Sequence, residues 1–163
     1  MKKFATALAS LVLTVSISAA GALPGYKALC EEMGKIPGWS LTQCDGMKMV
    51  NPMMGEVVTA TKTYTKGEKR LEVTVVSGMQ AMMMWGPYAT GTTMENDEAL
   101  VKIEKIDGFP VGISYDKKTR SGGIVVQLAQ NAVLGGTFEK MGWKEALELM
   151  RKIDWKKLQA LFR

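Results

Sequence analysis

Apolar and polar positions alternate through most of the middle of this chain. In "EVVTATKTYTKGEKRLEVTVVSG" (56–78), Val, Thr and Tyr run in, KGEK turns, and Leu71, Val73 and Val75 return on one face. That period of two around a glycine-containing turn predicts a β-hairpin with strands over 56–65 and 70–77. "LVKIEKIDGFPVGISYD" (100–116) predicts a second hairpin, with strands at 100–106 and 110–115. Its Asp107-Gly108 pair suits a two-residue turn, in which both central positions need positive φ. "GGIVVQLAQNAVLGGTF" supplies two more strands, 123–129 and 132–138, around Gln130-Asn131. Its paired glycines at 122–123 and 135–136 mark bends or the close approach of another backbone. The expected apolar face comprises Val73, Val75, Ile103, Val111, Ile113, Val126 and Leu128.

The period changes at both ends. Pro24 suits a first helical turn, Tyr26, Leu29, Cys30 and Met33 share a face, and Gly34 can stop the helix, which predicts α-structure over 24–34. Near the C-terminus Trp143, Ala146, Leu147, Met150 and Ile153 keep helical spacing, and Asp154 can cap a short last helix carrying Leu158, Leu161 and Phe162. The whole predicts one α+β domain over 23–163. It is a curved, mostly antiparallel sheet of six to seven strands in meander order, with an N-terminal helix and one or two C-terminal helices packed on it. The second face of the sheet is expected to be polar or to curl around a cavity. In order of elements alone the chain resembles secreted carrier domains of the lipoprotein-chaperone type and PsbP-like domains. No residue motif carries that outline.

The first 22 residues change the compartment. Met1-Lys2-Lys3 precedes an uncharged run from Phe4 to Ala22 that ends Ala20-Gly21-Ala22, the pattern of a secretory signal peptide cleaved after Ala22. The expected location is periplasmic or extracellular, with no stable membrane span after cleavage. In an oxidising compartment Cys30 and Cys44 are expected to form a structural disulfide, closing a loop of about 15 residues worth roughly 3 kcal/mol. Removing Lys2 and Lys3 leaves 19 basic residues against 16 acidic ones. They are scattered through turns such as "TKGEKR" and "DKKTR" rather than gathered among stacking aromatics, so nucleic acid is not an expected partner. The basic tail "WKKLQALFR" is expected to pack on the domain.

The chain has no histidine, which removes the common general base, the usual nucleophile relays and nearly all zinc sites. Ser114 or Ser121 with Lys117 or Lys118 would be the remaining nucleophile–base pair, but those lysines sit in a hydrated turn. Glu31-Glu32 and the Glu95, Asp97, Glu98 trio read as surface runs, and the trio misses the spacing of a calcium loop. "GTFEKMG" and "ATGTT" are too weak to be phosphate cradles. Catalysis is not expected.

Methionine is the unusual feature: 13 in 163 residues, clustered in "GMKMVNPMMG" (46–55) and "GMQAMMMWG" (78–86). Flexible, polarizable thioethers suit varied apolar partners. The expected function is therefore non-catalytic binding of an apolar small molecule, lipid or protein segment. Met79, Met82, Met83, Met84 and Trp85 would give the contact surface, with Met47, Met49, Met53 and Met54 as an opposing wall. Because "MQAMMMWGPYATG" shows no clean period, it is expected to be a loop or lid outside the sheet. No cofactor is expected on this reading. A second reading makes the same sulfurs a Cu(I) site, since soft donors favour that ion. Met47 with Met49, and Met82 with Met84, would share faces on extended strands, and Trp85 would cover the cation. A third reading makes the patch an interface within an extracytoplasmic assembly.

Overall fold

The structure, a computed structural model, describes residues 22–53 and 55–163. The expected leader therefore lies outside the described residues, apart from Ala22. Helix α1 (Tyr26–Met33) buries Leu29 and Met33 and ends at Gly34, whose φ of 58° only glycine adopts readily. The chain then makes β1 (Ser40–Leu41), β2 (Asp45–Asn51), β3 (Gly55–Lys66) and β4 (Lys69–Ser77). Helix α2 (Met79–Ala89) follows, and then β5 (Met94–Glu95), β6 (Ala99–Ile106), β7 (Phe109–Asp116), β8 (Ser121–Ala129) and β9 (Ala132–Glu139). Helices α3 (Trp143–Met150) and α4 (Trp155–Ala160) complete the order. All six expected strands form, within two residues of their expected ends. The two-residue strands β1 and β5 and the longer β2, all at the edges, bring the sheet to nine strands among the described residues.

The turns obey local chemistry. Asp107 and Gly108 have φ of 51° and 89°, and Ile106 pairs with Phe109 across them. Gly67, at φ 59°, lets Lys66 pair with Lys69. After β4 the meander breaks: α2 carries the chain across the sheet to its far edge, and β5 to β9 return strand by strand until β9 pairs with β4. Every pairing is antiparallel, and the order runs β1-β3-β4-β9-β8-β7-β6-β5, with β2 also on β3. β4 finds β9 rather than β6 because the chain between them is long enough to span three strands as a helix.

One sheet face carries the main core. Tyr64, Leu71, Val73, Val75, Val111, Ile113, Ile124, Val126 and Leu134 are fully buried there beneath α1, α3 and α4. Gly136 makes room for α3: a Cβ at that position would lie 2.3 Å from the Met150 sulfur. Trp155 donates from its indole N–H to the Met150 carbonyl at 2.9 Å and meets Phe109 edge to face, which fixes α4 behind α3. Asp154 caps α4 by accepting from the Lys157 amide at 3.0 Å. The Cys30–Cys44 disulfide is formed, with 5.8 Å between the Cα atoms, and ties α1 to the start of β2.

Ile103 departs from the expected face. It pairs opposite Gly112, whose neighbours Val111 and Ile113 point into the main core, so Ile103 faces the other side of the sheet.

The α1 C-terminus is held by side chains of β3. Tyr64 donates to the carbonyls of Met33 (2.9 Å) and Gly34 (3.1 Å), and Lys62 donates to Gly34 at 3.1 Å. These bonds satisfy carbonyls that a helix end leaves without partners. Burial pushes the Tyr64 phenol up to about 12, and burial, with Lys35 nearby, holds the Lys62 amine below the usual lysine range. Tyr64→Phe is expected to lower unfolding stability by about 1–3 kcal/mol, because it removes the hydroxyl from the buried Met33 carbonyl and leaves Gly34 with Lys62 alone. The urea midpoint checks this, and an unchanged midpoint would show that water replaces the hydroxyl.

Candidate functional site: a helix apolar on both sides

The second sheet face is covered by the methionine segment itself. Gly78, at φ 83°, turns the chain out of β4 and donates its N–H to the Asn131 carbonyl at 2.8 Å. The preceding Ser77 is fully buried, and its hydroxyl accepts from the Val58 amide at 3.1 Å. Residues 79–89 then form α2, outside the sheet and over its open face as expected, but as a helix rather than a loop. Ala81, Met84, Trp85 and Tyr88 make its inner stripe, at the spacing one helix face requires. They pack on Val76, Val125 and Val133, with Val101 and Ile103 at the margin.

Two glycines of the sheet admit this helix. A Cβ on Gly112 would lie 2.2–2.6 Å from three ring atoms of Tyr88, and one on Gly135 would lie 2.6 Å from the Met84 methyl. Both side chains therefore lie directly on bare backbone. Tyr88 also bonds Ser114 through its hydroxyl at 3.3 Å, and its ring meets Trp85 at 5.8 Å. Pro87 has no N–H to return to the Met83 carbonyl, so the last turn is held by packing more than by its ladder.

The outer stripe is also apolar apart from Gln80. Met79, Met82 and Met83 are 58 %, 60 % and 72 % exposed, and α2 contains no charged residue. Met47 (61 %) and Met49 (44 %) on β2 pair opposite Thr59 and Val57. Val57 also borders Gly78, so these methionines stand on the same sheet face as α2, beside its start. They form a step at the foot of the helix rather than a wall across a cleft. Met53, at 95 %, extends the surface beyond β2, and Met54 lies outside the described residues. Val50 and Met94 are also exposed, and sequence reasoning assigned neither to the surface. Their signal was only apolarity on edge strands.

Helical geometry changes the copper reading. Residues two apart on a helix point about 200° apart, not the same way as on a strand. Met82 stands in solvent while Met84 reaches Gly135, so the Met47, Met49, Met82, Met84 set does not face a common point. Trp85 lies half-buried toward Tyr88. Among the described residues no group of three or more His, Cys, Asp or Glu could hold a metal ion.

Of the candidate nucleophile and base residues, Ser114, Ser121 and Lys117 are engaged in hydrogen bonds. Ser114 is bonded to Tyr88 and to the Gly123 carbonyl, while Lys117 is held by Glu95 (3.0 Å) and the Asn96 carbonyl (2.7 Å). Ser121 shares a 2.7 Å bond with Thr119. A cleft of about 490 Å³ beside Asp107, Phe109, Arg151 and Trp155 is open, and its Arg151 already bridges Asp107 and Glu148. Among the described residues no helix is long and apolar enough to cross a membrane. Comparison with protein-family models, curated proteins and solved structures yields no match.

Gly112→Ala is expected to lift Tyr88 off the sheet, lowering stability by about 1–3 kcal/mol. Hydrogen exchange should quicken across 79–89 and stay slow in β3 and β4; equal protection in both proteins would refute the packing described. Dilute peroxide followed by peptide mapping should convert Met53, Met79, Met82 and Met83 to sulfoxides well before the buried Met33, Met141 and Met150. Simultaneous oxidation of both groups would contradict the exposed assignment.

Proposed function

We propose that the protein is an exported, non-catalytic binding protein that holds an apolar partner segment on the outer stripe of α2. Met79, Met82 and Met83 supply the contact, and Met47, Met49 and Met53 extend it. One observation carries this reading: α2 already satisfies the sheet with its inner stripe, yet its outer side is uncharged and, apart from Gln80, apolar. A helix on a surface ordinarily turns polar groups to water; one that does not marks a contact yet to be made. The intramolecular disulfide supports an environment outside the reducing cytosol. Tyr88 and Met84 lie directly on Gly112 and Gly135 and leave little room for a small molecule under α2, which favours a segment lying over the helix. Methionine suits such a surface because its thioether is flexible and repacks against different side chains.

Burying one methionine side chain contributes about 1.5–3 kcal/mol, tenfold or more in affinity. Met82→Gln with Met83→Gln is therefore expected to weaken retention of the bound polypeptide at least tenfold. The corresponding double change to leucine should leave retention nearly intact. Native mass spectrometry of the exported protein measures both. Equal losses in the two variants would discard apolar contact and indicate that sulfur itself is needed, as a Cu(I) site would require. Retention in both would remove α2 from the function altogether.

A further inference from the structure

Leu23 is fastened at both backbone atoms. Its amide N–H donates to Glu56 Oε2 at 3.0 Å, and its carbonyl accepts from Lys48 Nζ at 2.6 Å. Lys48 also pairs with Glu56 Oε1 at 2.5 Å, so one carboxylate binds both groups, one on each oxygen. The Leu23 side chain meanwhile packs against the main core, while Ala22 before it is exposed. Three attachments on the residue that directly follows Ala20-Gly21-Ala22 exceed what an ordinary linker needs. The Glu56 carboxyl is held below the usual range, first by the Lys48 hydrogen bond and then by the Leu23 amide.

We propose that the Ala22–Leu23 bond is a processing site and that Glu56, with Lys48, is the receptor for the amino terminus released there. Hydrolysis consumes one water: the C–N bond breaks, Ala22 leaves as a carboxylate, and the Leu23 nitrogen takes up protons to become an ammonium. The bond from the Leu23 nitrogen to the Glu56 carboxylate, until then charged on the acceptor side alone, becomes an ammonium–carboxylate ion pair. The new terminus is thereby held against β2 and β3, at the edge that presents Met47 and Met49. This inference rests on export of the chain, not on what α2 binds.

The test uses the chain isolated from its exported fraction. Intact mass and terminal sequencing should place the first residue at Leu23. Glu56 on β3 and Lys48 on β2 are the charged groups set against it among the described residues. Glu56 favours the ammonium and Lys48 opposes it, but only Glu56 bonds the nitrogen. Acylation of the α-amine near neutral pH should therefore be at least threefold slower in the wild type than in Glu56→Gln, because only the free amine reacts. Glu56→Asp, which shortens the reach, should be intermediate and serves if the glutamine variant folds poorly. A first residue other than Leu23, or equal acylation rates in the wild type and the variants, would overturn the proposal. Loss of partner binding at α2 would leave both readouts unchanged, so the two readings fail separately.

Discussion

The structure depends on the contact between Tyr88 and the bare backbone at Gly112. A broad sheet has two faces, and here α1, α3 and α4 bury only one of them. Among the described residues the other face is covered, over β4, β9 and β8, by one helix that contains no charge, no capping side chain and a proline in its last turn. Such a helix has little reason to form alone, since isolated helices of this length are marginal in water. Its stability comes from seating Ala81, Met84 and Tyr88 where Gly112 and Gly135 leave room. The same seating sends the chain from β4 to the far edge, so the strand order depends on it too.

Once the inner stripe is placed, helical geometry dictates the rest. Met79, Met82 and Met83 must point away from the sheet, and the methionines of β2 come up beside them because Met47 and Met49 pair with residues on that face. Lys48 and Glu56 are engaged with each other and with Leu23 on the opposite face of β2 and β3, and Asp45, on the methionine face of β2, accepts from the Gly46 amide. An apolar segment lying along α2 meets no charged side chain of that helix, whose desolvation would otherwise weigh heavily against association.

The hairpins were legible because each is a local contract: alternation sets the faces, and residues such as Asp107-Gly108 set the turn. The terminal helices were legible for the same reason, with one apolar stripe each. The α2 helix was not, because methionines fill its outer positions as well and erase the contrast that a period of 3.6 needs. Ala81, Met84, Trp85 and Tyr88 do have helical spacing, yet Gly86-Pro87 argues locally for a break. The pairing of β4 with β9 has no local signal at all, since neither strand's sequence names its partner. Ile103 was misplaced because β6 is apolar on both faces, with Leu100 on one and Val101 and Ile103 on the other. Of the candidate site, the residues were readable as a group, but their division into inner and outer stripes came only with the helix.

The most direct measurement is photo-crosslinking in intact cells from single positions along α2, with a reactive methionine analogue at 79, 82, 83 or 84 and a control on α3 at Glu148. Crosslinks to one recurring polypeptide from 79, 82 and 83, with intramolecular products from 84 and none from 148, are the expected result. A partner captured equally well from 84 and 148, or none from the outer positions, would contradict the assignment of the outer stripe as the binding surface.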